Sequence, residues 1–323
     1  MAPSPEVVRQ RRIAAVIALA VAAALLVLLF TQLTGSDAAE QPRAAADGAE
    51  AEQGEPTPTP EPLPELPRGG RTILPDYRVV AYYGAPQDDE LGALGIGSPA
   101  SAVKRLNRQA KGYDRKTRPV MPALELIATV AAAHPGDDGQ YILRQSDTVI
   151  RRYLKAARKA KALLILDIQP GRADFFSETK RLRKWLKEPD VSLALDPEWR
   201  MGPNEVPGKT IGSVSAREVN ATTDWLNKLT KREKLPQKLV LIHQFTDDMI
   251  PEKEIKERSD LAIVFNVDGF GTQTLKVAKY NEFTRQSHAF RHGFKLFYKE
   301  DQDTMSPAEV MRLQPRPDVV VYE

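Results

Sequence analysis

A chain of 323 residues, 42% hydrophobic and 28% charged, is globular in composition and long enough to bury a large core. Its formal net charge is only +3 and its basic residues are interspersed with acidic ones, so nothing marks nucleic acid as a partner. The absence of cysteine excludes disulfides, thiolate metal sites, a cysteine nucleophile and a lipid-modified N-terminal cysteine.

Residues 13–33 read as a transmembrane signal anchor. The apolar run Ile13 to Phe30, extended by Thr31 to Leu33, is about long enough to cross a hydrocarbon core. Arg9, Arg11 and Arg12 precede it, which places residues 1–12 in the cytoplasm and the rest of the chain outside. A cleaved secretory signal is the alternative. Residues 34–75, rich in Ala, Glu and Pro and including EPTPTPEPLPELP, are expected to form a disordered, semi-rigid linker.

Eight β-rich runs follow, at Arg78 to Pro86, Val120 to Val130, Ala162 to Pro170, Val191 to Glu198, Lys238 to Phe245, Ala262 to Phe270, Gly293 to Asp301 and Asp318 to Tyr322. Between several of them lie helical patterns. Asp147 to Ala162 carries Val149, Ile150, Tyr153, Leu154 and Ala157 at helical spacing, and Ser177 to Lys187 carries Leu182, Trp185 and Leu186. Ser215-x-x-Glu218 and Ser306-x-x-Glu309 are capping-box signatures. The count and order predict an α/β fold, a single (β/α)8 TIM barrel over residues 76–323.

The fourth run, DVSLALDPEW, alternates Val191, Leu193 and Leu195 with Ser192, Ala194, Asp196 and Glu198, so one face is greasy and the other small, then acidic. In a barrel the second face lines the interior and opens at the carboxyl end, where barrel enzymes keep their chemistry. The other runs also end in polar groups, namely Tyr82 and Tyr83, Glu125, Asp167 and Gln169, His243 and Gln244, Asn266 and Asp268, and Lys295 and Tyr298. Bland alternatives exist for each. Asp167 and Asp196 also suit structural ion pairs with Lys295 or Arg172, Glu125 a buried pair with Lys295, and His243 a hydrogen-bonded core position. Tyr82, Tyr83 and Trp199 suit core or rim positions.

Asp196 and Glu198 share a strand face, so their like charges raise at least one pKa, and a carboxylic acid kept protonated is what glycosidic cleavage needs. Glu198 is therefore expected as general acid, Asp268 as its catalytic partner and Asp196 as the orienting group. Tyr82, Tyr83, Glu125, Asp167, Gln169, Trp199, His243, Gln244, Asn266, Lys295 and Tyr298 are the expected substrate-binding residues. A polysaccharide or glycan is the expected ligand, without metal or cofactor, for a monomer tethered to the membrane by its N-terminal helix. The alternatives are a divalent-metal-dependent phosphodiester or ester hydrolase using Glu125, Asp167, Asp196, Glu198, His243 and Asp268 as oxygen-rich ligands, and a silent glycan- or protein-binding barrel.

The runs LILDIQPGRADF and SLALDPEWRMGPNEVPGKTIGSV, with LIHQFT, VDGFG and GFKLFYKED, resemble a family of uncharacterised actinobacterial secreted or membrane-anchored proteins, over about Tyr77 to Glu323. That resemblance implies no activity. More distantly, Asp196-Pro197-Glu198 is similar to the end of the strand-four motif D-x-x-D-x-D-x-E of chitinase-like glycoside hydrolase barrels, although Val191 and Ala194 stand at its first two Asp positions. The likeness implies the acid role for Glu198 alone.

Overall fold

Strands buried on both faces need cover on both, and eight of the strands here obtain it by closing on themselves. In the computed structural model, which describes residues 62–251, 254–286 and 290–323, nine strands form one sheet. They are β1 (Arg78–Gly84), β2 (Val120–Ala131), β3 (Ile142–Arg144), β4 (Leu163–Ile168), β5 (Val191–Leu195), β6 (Lys238–Gln244), β7 (Leu261–Val267), β8 (Arg291–Leu296) and β9 (Val319–Tyr322). Apart from β3 they pair in parallel around the circuit, and β9 returns to β1 through Val79 to Tyr82. The result is the expected closed eight-stranded parallel barrel.

Alternation sorts the core into two layers. Val80, Leu124, Leu166, Leu193, Ile242, Phe265 and Phe294 face outward into one cluster with the helices. Val79, Ala81, Met121, Ile165, Leu241, Val264, Val319 and Val321 fill the barrel. The helices are α1 (Pro99–Ala110), α2 (Asp147–Lys159), α3 (Phe175–Arg181), α4 (Arg183–Leu186), α5 (Ala216–Arg232), α6 (Gln273–Gln286) and α7 (Pro307–Val310). Ser146 and Ser215 cap α2 and α5 as their sequences predict, and Ser306 with Glu309 closes a complete capping box on α7. At α5 the Glu218 side chain instead accepts from the Phe175 amide and from Arg200, tying the helix start to the loop after β5. The helix expected from Ser177 begins two residues early, at Phe175 with Asp174 as its cap, and breaks at Leu182. Among the described residues no α-helix lies between β6 and β7.

Two features depart from the sequence reading. The register of β2 against β4 slips between Ile127 and Thr129, so Ala128 is an extra residue. Such a bulge inverts the alternation beyond it: Ile127 and Val130 both belong to the inner cluster, and the end of β2 leaves the barrel to pair with antiparallel β3 through Val130 and Leu143.

The second departure corrects the linker boundary. Composition rich in Ala, Glu and Pro extends the linker to residue 75, but Leu66, Ile73 and Leu74 are buried under the amino end of the barrel, with Val79, Met121, Leu163 and Leu239. Gln237 fastens this plug by accepting from the Ile73 and Leu74 amides at 2.8 and 3.0 Å, while Arg71 donates to the carbonyls of Lys234 and Leu235. The apolar residues between the prolines have a face to fill, which composition alone does not register. The expected anchor at 13–33 and the linker up to residue 61 lie outside the described residues. Among the described residues no helix is long and apolar enough to cross a membrane.

The plug supports the barrel if its burial matters energetically. Ile73→Ala is expected to cost about 2–4 kcal/mol of unfolding free energy in urea titrations of a chain beginning at Pro62. A loss below roughly 0.5 kcal/mol, typical of a surface change, would show that the barrel closes without it.

Candidate active site at the barrel mouth

The acidic ends of the strands converge at the carboxyl end of the barrel. His243 on β6 sits at the centre, its Nδ1 3.0 Å from Asp268 Oδ2 and its Nε2 2.9 Å from Glu125 Oε1. Asp268, just beyond β7, also accepts from Lys295 Nζ at 3.0 Å, and Lys295 pairs with Glu323 Oε2 at 2.7 Å. The Lys295 ammonium lies 3.9 Å from the Tyr83 ring centroid. The Tyr83 hydroxyl stands 3.4 Å from both Asp167 Oδ2 and Asp196 Oδ2, and it accepts from Gln169 Nε2 at 2.9 Å. Asn266 places its amide nitrogen 3.2 Å from His243 Nδ1. Its position depends on Gly293 across the β7–β8 pairing, where a Cβ would come within 2.4 Å of Asn266 Oδ1.

Burial and pairing pull these groups apart electrostatically. Burial opposes ionisation of Asp268, but Lys295 and His243 outweigh it and hold that carboxyl well below its usual range. Burial also opposes charge on Lys295 and His243, yet the acids facing each of them raise both above their usual values. Asp167 goes the other way, pushed well up by burial and then by Asp196. Asp196 is raised by burial against the pull of His243 and Lys295. Glu198 is pushed well above the carboxylate range by burial, with Asp196 and Asp268 adding to it.

Glu198 reaches the mouth from a 3-10 turn, Pro197–Trp199, rather than from β5 itself. Pro197 ends the strand as expected, and the Gly212 amide holds the turn by donating to the Glu198 carbonyl at 2.7 Å. The Glu198 carboxyl makes no hydrogen bond or ion pair with a described residue. It opens into a pit of about 70 Å3 whose polar lining is Tyr83, Gln169, Glu198, Asp268, Lys295 and Glu323. Trp199, Phe245, Phe270 and Phe297 supply aromatic walls, and Ile127, Val130 and Ala131 contribute the bulged end of β2.

Of the residues expected in the site, Glu198, Asp268, Tyr83, Gln169, Trp199 and Lys295 line this pit. Glu125, Asp167, Asp196, His243 and Asn266 are buried and do not line it. Tyr82, on the opposite strand face from Tyr83, packs against Tyr298 and Tyr322 in the outer layer. Gln244 likewise lies on the face opposite His243, and Tyr298 stacks on Tyr322 at the rim, with ring centroids 5.3 Å apart. The sequence reading missed Glu323 by ending the last run at Tyr322, although Val319, Val321 and Glu323 share one face. Phe245, Phe270 and Phe297 were inside the quoted runs and carried no signal separating wall from core.

No family model matches the chain, and no curated protein matches it. Solved structures that match include 2,3-dimethylmalate lyase, a PEP mutase/isocitrate lyase superfamily member, at 11% identity and TM-score 0.42 over 77% of each chain. A D-allulose 3-epimerase from Methylomonas sp. matches at 9% identity and TM-score 0.34, over 81% of this chain and 85% of that one. These neighbours are a lyase and an epimerase, not glycoside hydrolases, and the expectation of a glycoside-hydrolase-like barrel acting on polysaccharide is corrected. The mouth agrees with the correction. Asp268, the expected catalytic partner, is committed to His243 and Lys295, and the opening is a small pit rather than a groove for a polymer.

Lys295 holds two acids at once, so its replacement is expected to act through both. Lys295→Met should cost about 3–5 kcal/mol of stability, the penalty of leaving buried carboxylates unpaired. A double-mutant cycle with Asp268→Asn should give a coupling of at least about 1 kcal/mol in urea unfolding. Additive losses would mean that the 3.0 Å contact contributes nothing of its own.

Proposed function

We propose that the barrel is an acid–base enzyme acting on a small, neutral or cationic polar molecule held in the mouth pit, with Glu198 as the proton donor. The observation that carries this reading is the state of Glu198: a carboxyl with no protein partner, raised well above its usual range, opening into the pit. A general acid has to be protonated at working pH and free to meet the substrate, and Glu198 meets both requirements. Asp268 is pushed the opposite way, and two carboxyl groups driven apart in this manner divide into acid and anion.

Electrostatics sets the substrate class. Asp196, Glu198, Asp268 and Glu323 gather about Lys295, whose charge is already taken by Asp268 and Glu323. An anion gains nothing there, whereas hydroxyl or ammonium donors meet acceptors. The same pairing keeps Lys295 an ammonium, which removes it as an amine nucleophile.

Thermal-shift screening against small polyols, amines and carboxylates tests the reading. Neutral or cationic compounds should raise the melting temperature and carboxylates should not. On the substrate so found, Glu198→Gln should keep binding and lose about 100-fold or more in kcat. Wild-type kcat should fall as pH rises through the raised pKa of Glu198. Because that folded pKa exceeds the unfolded value near 4.3, the wild type should also lose stability as pH rises between the two, and Glu198→Gln should lack this loss. Tight binding of carboxylates, or full turnover by Glu198→Gln, sinks the proposal.

Membrane placement is a separate proposal, supported by the arginines before Ile13 and the apolar run after them. Protease added outside intact cells is expected to remove the barrel and spare a short N-terminal tag. Full protection of the barrel would reverse the topology.

A further inference from the structure

Under the pit, the barrel interior holds three side chains placed like a ligand set. Glu125, Asp167 and His243 are 0%, 0% and 1% exposed, and one ligand atom from each lies within 4.8 Å of the other two. They come from β2, β4 and β6, whose inward positions deliver them to one level. None of the three lines the pit, whose polar lining includes Tyr83 and Lys295.

The second observation is independent of that clustering. Glu125 Oε2, Asp167 Oδ1 and the neighbouring Asp196 Oδ1 are buried and accept no hydrogen bond from any described residue. A carboxyl oxygen left buried without a partner is costly whether or not the group is ionised. The local cations do not serve them. Lys295 is taken by Asp268 and Glu323, and the Tyr83 hydroxyl, 3.4 Å from each aspartate, has one proton for two acceptors. Five carboxyl groups, on Glu125, Asp167, Asp196, Asp268 and Glu323, thus surround two basic groups, on His243 and Lys295. A compact positive charge is missing from the balance.

His243 is oriented to help hold one. Asp268 Oδ2 lies 3.0 Å from Nδ1, which fixes the ring and turns Nε2 toward Glu125. A carboxylate behind the distal nitrogen of a histidine is the usual support of a metal-ligating imidazole. Adjacent ligands about 2.1 Å from an octahedral ion lie roughly 3 Å apart, and Nε2 to Glu125 Oε1 is 2.9 Å. We propose that Glu125, Asp167 and His243 bind one divalent ion beneath the pit, with Asp196 Oδ1 beside it, the ion displacing to solvent the proton that His243 Nε2 shares with Glu125. A mixed imidazole and carboxylate set suits Mn2+, Fe2+ or Zn2+ better than the all-oxygen preference of Mg2+ or Ca2+. Since its ligands do not line the pit, the ion acts by fixing Tyr83, Asp196 and Asp268 under the substrate, and it does not rest on the acid role of Glu198.

The test uses the full chain, purified, stripped with EDTA and titrated with MnCl2 or ZnCl2. Elemental analysis should find one equivalent of metal per chain, the stripped protein should regain several degrees of melting temperature on adding the ion, and the Mn2+ spectrum should carry coupling from a histidine nitrogen. Asp167→Asn should weaken Mn2+ binding at least tenfold. Asp268→Asn, as a positioning change, should weaken it about 10- to 100-fold at unchanged stoichiometry. If either variant fails to fold, the nitrogen coupling in the wild type decides. Absence of that coupling, a melting temperature indifferent to EDTA and both ions, or Mn2+ affinity unchanged in folded variants would each overturn the proposal and leave the cluster neutralised by protons.

Discussion

The mouth depends on burying more acid than base inside the barrel. The two cations available, His243 and Lys295, are shared: His243 bridges Glu125 and Asp268, and Lys295 bridges Asp268 and Glu323. Sharing explains why Asp268 is driven down while Asp167, Asp196 and Glu198 are driven up. Asp268 captures the nearby positive charge, and the others feel desolvation and one another. The division into a locked floor and a free acid at the rim is thus a consequence of where two cations fall.

The bulge in β2 is the second constraint. Without the extra residue at Ala128, strict alternation would keep Val130 in the outer layer. With it, Ile127 and Val130 both face inward, Ala131 joins the pit wall, and β3 pairs with the overhang. The Ala131 amide also donates to Gln169 Oε1 at 3.0 Å, which steers the Gln169 nitrogen to Tyr83. A local backbone irregularity therefore builds one wall and orients part of the floor.

The two ends of the barrel are closed by different means. At the amino end, Leu66, Ile73 and Leu74 seal the interior with apolar burial and hydrogen bonds to Gln237. At the carboxyl end, the interior is capped by charge, and apolar groups stand only around the rim. Stability is concentrated below and reactivity above, as expected of a barrel whose variable groups sit where the strands point.

Much of the fold was legible in the sequence, since β-rich runs of five to eleven residues and serine-capped helical patterns are local signals. All eight barrel strands and the inward face of β5, with Asp196 on it, follow from them, whereas His243 and Gln244 were not told apart. The plug was not legible, because proline-rich composition reports chain stiffness and says nothing of an apolar cavity that a distant Gln237 helps to close. Nor was the floor, because alternation fixes which way a side chain points along its own strand while the stagger between strands fixes its height. That stagger, together with the slip at Ala128, decided that Glu125 meets His243, that Asp268 is bound to Lys295, and that Glu198, carried past the end of β5 by Pro197, is left free. The sequence by itself determined that the acidic face of β5 enters the barrel; only closure, which sums the registers of all eight strands, decided which acids meet a cation and which meets the solvent-facing pit.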